Sequence, residues 1–187
     1  ELIAQAGLDV PPLLAQAQGS FYRQGASGEE VLGFDGAYHP VPAVEGSLRL
    51  AAVAARPNAV LEQNEGARLL DLGDGVALLE FRSKMNTLGE PVMKLLEKSL
   101  DRIEREGRAG LVIGNDDPRA FSAGADLTGP AAMVQKNEWV ALDAMVYHFQ
   151  RLVQRVRYSP FPVVVAPHGL TLGGGAEITL HADAVQA

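Results

Sequence analysis

The chain has 187 residues, 47% of them hydrophobic and 21% charged, with a formal net charge of −7 and no cysteine. That length allows one domain with a real core, or one domain plus a fragment of another. The acidic balance argues against a broad nucleic-acid surface, and no apolar run reaches the ~18 residues of a membrane span. Lack of cysteine removes a disulfide framework, a thiolate metal site and a thiol nucleophile, and a cytoplasmic setting is the simplest expectation. An anionic small molecule stays possible, because a few cationic side chains and backbone N–H groups bind phosphate locally.

In chain order, "ELIAQAGLDVPP" lacks a basic leader and an initiator methionine, and reads as neither a signal peptide nor a natural start. "ELIAQAG" and "PPLLAQAQGSFYRQ" are expected to be short helical pieces, and "EEVLGFDGAYHPV" a small hairpin around Asp35-Gly36. "GSLRLAAVAARPNA" adds a short helix stopped near Pro57. None of these closes a core alone, so residues 1–60 read as the end of something larger followed by a linker.

From Ala67 the pattern becomes regular. "RLLDL" and "VALLEF" are two strands joined at Gly73-Asp74-Gly75. "TLGEPVMKLLEKSLDRIEREG" carries Val92, Leu95, Leu96, Leu100 and Ile103 on one helical stripe, with Pro91 suiting its first turn and Gly107 its stop. "GLVIGN" is a wholly apolar strand expected to be buried on both faces. The loop "DDPRAFSAGADLTGP" leads to a long helix whose stripe runs from Leu142 through Phe149 to Val156. "SPFPVVVAPHG" is a third buried strand, "GGGAEITL" opens another helix, and "HADAVQA" begins a strand. Strand and helix alternate, so the class is α/β, and the fold is expected to be cut off at its C-terminus.

The glycines at 173–175 are the most informative residues. A helix N-terminus exposes unpaired N–H groups, and glycine lets a ligand atom approach them without a Cβ in the way. Glu177 lies three residues beyond Gly174 and shares its helix face, which sets a carboxylate beside a donor. The same residues fit a purely structural role, because glutamate favours a first helical turn and glycines let a helix pack closely on a strand. Nucleotide motifs fail: G-x-G-x-x-G would need glycine where Ile178 stands, and no Gly-Lys-Ser/Thr follows. "AFSAGAD" nearly matches the hydrolase elbow G-x-S-x-G, with His168 as a partner for Ser122, but Ala120 replaces the first glycine.

Together, "RAFSAGADL" and "HGLTLGGGAEITL", each after a buried strand, resemble the enoyl-CoA hydratase/isomerase (crotonase) family over residues 67–187, with Asn86 in "KMNTL" at a further family turn. "GSFYRQGASGEEVLGFDGAYHPV" is similar to the tail of the C-terminal domain of 3-hydroxyacyl-CoA dehydrogenases. The order resembles bifunctional fatty-acid oxidation proteins. The resemblance therefore implies a crotonase-like ββα-repeat spiral at 67–187, preceded at 1–60 by a dehydrogenase tail and linker.

By resemblance, the substrate is an acyl-CoA thioester, whose carbonyl oxygen becomes an enolate held by the backbone N–H groups of Ala125 and Gly174. Glu177 matches one of the family's two catalytic glutamates, a general acid/base for hydration or isomerisation; the second falls in a later segment that this sequence lacks. Ala123, Gly124 and Asp126, with Gly173, match substrate-binding positions, and Arg119 matches a basic position near the CoA phosphates or is a solvated loop charge. Lys84 is a further basic candidate, whereas His148 and His168 are expected to be structural, and Asp116 and Asp117 carry no assigned chemistry. The resemblance also implies a homo-oligomer, no metal, and NAD only for a dehydrogenase domain preceding Glu1. A non-catalytic CoA-binding or assembly module of the same fold is the alternative.

Overall fold

A computed structural model describes residues 5–7, 9, 12, 14, 21–25, 28–42 and 46–187. These fall into two compact units, Glu1–Leu48 and Arg49–Ala187.

In the first unit, β1 (Tyr22–Gly25), β2 (Gly28–Leu32) and β3 (Tyr38–Pro40) form an antiparallel meander. The β2–β3 turn lies at Asp35-Gly36 as expected, with Gly36 at φ 79° and the Gly33 N–H donating to the Ala37 carbonyl at 2.8 Å. Tyr22–Gly25 is a strand and not the end of a helix. Cross-strand contacts override its helical propensity: Arg23 bonds Glu30 at 2.7 Å, and its guanidinium lies 3.8 Å from the centre of the Tyr38 ring. Most residues of the two expected helical pieces lie outside the described set, although Gln5, Pro12 and Leu14 are helical.

The second unit is built on a six-stranded sheet of order β11-β9-β7-β6-β5-β4. Its strands are β4 (Val60–Gln63), β5 (Ala67–Gly73), β6 (Val76–Phe81), β7 (Gly110–Gly114), β9 (Val163–Val165) and β11 (Ala184–Val185). Pairing is antiparallel from β4 to β6 and parallel from β6 onward. The β5–β6 hairpin closes through Asp74 and Gly75, both at positive φ (51° and 77°), with Gly73 opposite Val76; such a two-residue turn matches the strand twist. Edge strand β4 and helix α1 (Leu50–Ala54) belong to this unit, so much of the stretch expected as a linker is packed structure. Leu50 and Val53 of α1 bury against Leu70 and Leu78 on one face of the sheet.

The other face is covered by α2 (Glu90–Glu106) and α4 (Trp139–Arg157), with α5 (Gly174–His181) beside α4. The main core joins Leu69, Leu79 and Phe81 of the sheet to Leu95, Leu100 and Ile103 of α2 and Leu152 of α4. Helix α2 follows the sequence closely, with Pro91 in its first turn and Gly107 as a left-handed C-cap at φ 61°. Along α4 only Leu152, Val153 and Val156 are buried; Val146 is exposed, so just the C-terminal half of its apolar stripe is covered within this chain. The long loop after β7 is more ordered than expected, because it contains β8 (Ala120–Ser122) and α3 (Thr128–Gln135). β8 pairs in parallel with β10 (Leu170–Thr171) as a separate small sheet. No helix among the described residues is long and apolar enough to cross a membrane.

Candidate active site

Three loops at the carboxyl ends of β6, β8 and β10 meet in front of α5. The first follows β6, where a single 3-10 turn (Lys84–Asn86) holds Met85 and Asn86 at φ 56° and 52°. Such backbone is costly for residues with a Cβ, and a side-chain knot holds it. The buried Asn86 amide donates to the Ala120 carbonyl at 2.8 Å and to Asn115 Oδ1 at 3.0 Å. Asn115 in turn donates to the Phe121 carbonyl at 2.8 Å. Asn115 carried no sequence assignment; its one signal was a polar residue closing the apolar run "GLVIG".

The second loop crosses the first. Ser122 is fully buried; its hydroxyl donates to the Asn86 carbonyl at 2.7 Å and accepts the Gly124 N–H at 3.1 Å. His168 is engaged elsewhere, with Nε2 2.6 Å from the Asp117 carbonyl. A serine-nucleophile reading therefore fails, because the hydroxyl is sealed off and its histidine is committed to backbone. Past Gly124 the chain forms a parallel bridge between Ala125 and Leu88: Leu88 N–H donates to the Gly124 carbonyl at 2.8 Å, and Asp126 N–H to the Leu88 carbonyl at 3.2 Å. In such a bridge the residue between the two bonded groups turns its own N–H away from the partner strand. That residue is Ala125.

The third loop carries the triple glycine. Gly124 (φ 90°) approaches it so closely that a Cβ there would lie 2.9 Å from the Leu172 carbonyl oxygen. A Cβ on Gly175 would stand 2.6 Å from that of Ser122, so glycine is what permits α5 to abut β8. Gly173, at φ 46°, is the N-cap of α5. Gly174 follows as the first helical residue, and a Cβ on it would press on Leu88 and Phe149. Neither Ala125 nor Gly174 gives its N–H to an acceptor among the described residues. Both line one cavity of about 240 Å³, together with Glu177, Leu88, Met93 and Phe149. Two free amide donors and a carboxylate thus share an otherwise largely apolar space. Such a space suits a polarised carbonyl, whose developing negative charge gains most from donors fixed in advance.

The remaining predicted residues divide clearly. Asp126 also lines the cavity, and its carboxyl is held below the usual range mainly by the N–H of Thr128. Ala123 spends its N–H on the Met85 carbonyl at 3.0 Å and does not line the cavity. Gly124 and Gly173 shape the crossing of the loops. Arg119 and Lys84 are exposed and do not line the cavity; Arg119 Nε lies 3.8 Å from Asp117. Asp117 caps the turn before β8 by accepting the N–H groups of Arg119 and Ala120, and Asp116 accepts that of Leu50. His148 is exposed beside a neighbouring apolar groove of about 510 Å³ and is no core residue. Among the described residues no three His, Asp or Glu side chains gather as metal ligands would.

A model of the family described as enoyl-CoA hydratase/isomerase matches residues 75–185, which include all three loops. The chain belongs to that family. Its crotonase fold is also that of an enoyl-CoA hydratase crystal structure from Bacillus anthracis, 25% identical with TM-score 0.57 over 64% of this chain and 46% of that one. A Geobacillus kaustophilus enoyl-CoA hydratase structure, 20% identical with TM-score 0.59, shares the fold over 66% of this chain and 46% of its own. Among curated relatives, a Bacillus subtilis protein named "Probable 3-hydroxyacyl-CoA dehydrogenase" is 37% identical over 100% of this chain and 24% of its own length. The fatty acid oxidation complex subunit alpha of Aliivibrio fischeri is 38% identical over 54% of this chain and 14% of its own. The chain thus spans a quarter or less of these curated relatives.

Proposed function

We propose that residues 67–187 bind the thioester of an acyl-CoA and stabilise its enolate, for hydration or isomerisation of an enoyl-CoA in fatty-acid β-oxidation. The first unit, residues 1–48, is then the tail of a 3-hydroxyacyl-CoA dehydrogenase domain, and NAD serves that activity in the full-length protein. Whole-chain similarity to the Bacillus subtilis relative supports the pairing. The observation that carries the acyl-CoA reading is the shared cavity of Ala125, Gly174 and Glu177, with both amide donors unengaged.

In this reading the thioester oxygen accepts both N–H groups. Glu177 takes a proton from water as the water oxygen bonds to the β-carbon of the enoyl group, and the π electrons move onto the thioester oxygen. Collapse of the enolate, with the proton held by Glu177 passing to the α-carbon, completes the addition and returns the carboxylate. The two donors act where charge develops, an effect typically worth about 3–4 kcal/mol per donor. General acid/base catalysis contributes about 10²–10⁴-fold. Glu177→Gln keeps the side-chain shape and removes the base. In the full-length protein, hydration of a 2-enoyl-CoA, followed by loss of its conjugated-thioester absorbance, is expected to fall by about 10²-fold or more. An unchanged rate would remove Glu177 as the base, and a wild type without hydration would leave the binding-module alternative.

A further inference from the structure

Helices α4 and α5 lie side by side in a register that one contact defines: Gln154 Nε2 sits 3.5 Å from His181 Nε2. One turn back along each helix brings Gln150 opposite Glu177, and both line the 240 Å³ cavity with Ala125 and Gly174. We infer that Gln150 is a positioning residue for Glu177, its carboxamide N–H holding one carboxylate oxygen so that the other faces the reacting atoms. This inference rests on the acyl-CoA reading above.

The cavity chemistry favours that role. No lysine, arginine or histidine lines it, so Gln150 brings its only side-chain N–H donor among the described residues. The other carboxylate, on Asp126, is occupied by the N–H of Thr128 at 3.0 Å. His181, one turn along α5, binds the Glu177 carbonyl through Nδ1 at 2.7 Å and does not line the cavity. In the neighbouring groove, Lys94 is paired with Glu90 at 2.5 Å, and His148 lines that groove and not the cavity. The Gln150 carboxamide makes no hydrogen bond within the described structure, so its side-chain donors are available. A neutral amide orients a carboxylate without adding the full positive charge that Lys or Arg would bring beside a base. Orientation is worth much here, since a misplacement of ~1 Å can cost about 10²-fold in rate.

The test compares Gln150→Leu, Gln150→Glu and Gln154→Leu in the full-length protein, with kcat and KM for a short 2-enoyl-CoA. Gln150 is exposed, so all three variants are expected to fold; far-ultraviolet circular dichroism and thermal melts check this. Gln150→Leu is expected to lower kcat by roughly tenfold or more with KM within about twofold. Gln150→Glu, equal in shape but a repelling acceptor, is expected to be worse still. Gln154→Leu is expected to match the wild type. A purely packing role would reverse the order, with the isosteric Glu variant close to wild type, and that result overturns the inference. So does a wild-type kcat in both Gln150 variants alongside a dead Glu177→Gln. Should the wild type itself fail to hydrate enoyl-CoA, the acyl-CoA reading falls and the inference with it; should Glu177→Gln stay active, the base assignment falls and Gln150 has nothing to position.

Discussion

The sheet centre and the loops in front of α5 hold their backbones by opposite means. At the centre, β5, β6 and β7 satisfy their polar groups in regular ladders, and Leu69, Leu79 and Ile113 contribute only apolar surface. At the loops, Met85, Asn86, Gly124 and Gly173 all have positive φ. Asn86, Asn115 and Ser122 there take the place of a ladder with side-chain bonds to backbone. The centre is thus a matter of volume, and the loops a matter of conformation and hydrogen-bond identity. Phe121 and Ser122, neighbours on β8, mark the seam: one packs its ring against Phe81, tilted by 47° with 5.6 Å between ring centres, and the other ties two loops.

Breaking the volume side should cost most. Phe121→Ala removes a fully buried ring and is expected to destabilise by about 3–5 kcal/mol, read from chemical denaturation. A loss below ~1 kcal/mol would show that β8 is not part of the core. Breaking the conformational side should cost less stability but more function. Gly124→Ala sets a Cβ 2.9 Å from the Leu172 carbonyl oxygen at a φ that alanine rarely adopts. Overpacking of this kind costs about 1–3 kcal/mol. Acyl-CoA affinity, measured by calorimetry in the full-length protein, is expected to drop more steeply than the melting temperature. Equal losses would mean that the loop crossing serves only folding.

The smallest effect is electrostatic. The Asp117 carboxyl is held below its usual range mainly by the Arg119 N–H, with further help from the Ala120 N–H and the charges of Arg119 and His168. Its folded pKa is the lower one, so its contribution is complete above the ordinary carboxylate value and is lost as pH falls through the folded value. Thermal melts between pH 5 and pH 2 (about the range where carboxylates titrate) should show a decline that Asp117→Asn flattens only slightly. An identical decline in the variant would remove Asp117 from the account.

How much of this was legible depended on whether the cause was local. Helix α2 announces itself through Pro91, Gly107 and a continuous stripe, and the β5–β6 hairpin through Asp74-Gly75, because those signals act within a few residues. Strand β4 passed unread: "VLEQ" has no clean alternation, and the strand joins the sheet through a bulged pairing with β5. β1 was misread because its reasons lie across the meander, in Glu30 and Tyr38. β8 and β10 are only three and two residues long, and their pairing is a tertiary event without a periodic trace. The upstream half of the α4 stripe, around Val146, shows that apolar period predicts a face, and not what covers it. At the site, the glycines and Glu177 stood out in the chain. The commitment of Ser122 to the Asn86 carbonyl, and of Ala123 to Met85, leaves no local trace, since neither partner is near in sequence.

The claim at the centre of this account is that two amides from separate loops hold one thioester oxygen. A crystal structure of the full-length protein with a bound acyl-CoA tests it most directly. The account predicts that oxygen at about 2.7–3.1 Å from the nitrogens of both Ala125 and Gly174, with the Glu177 carboxylate facing the acyl carbons. An ordered acyl-CoA whose thioester oxygen meets neither nitrogen would contradict it.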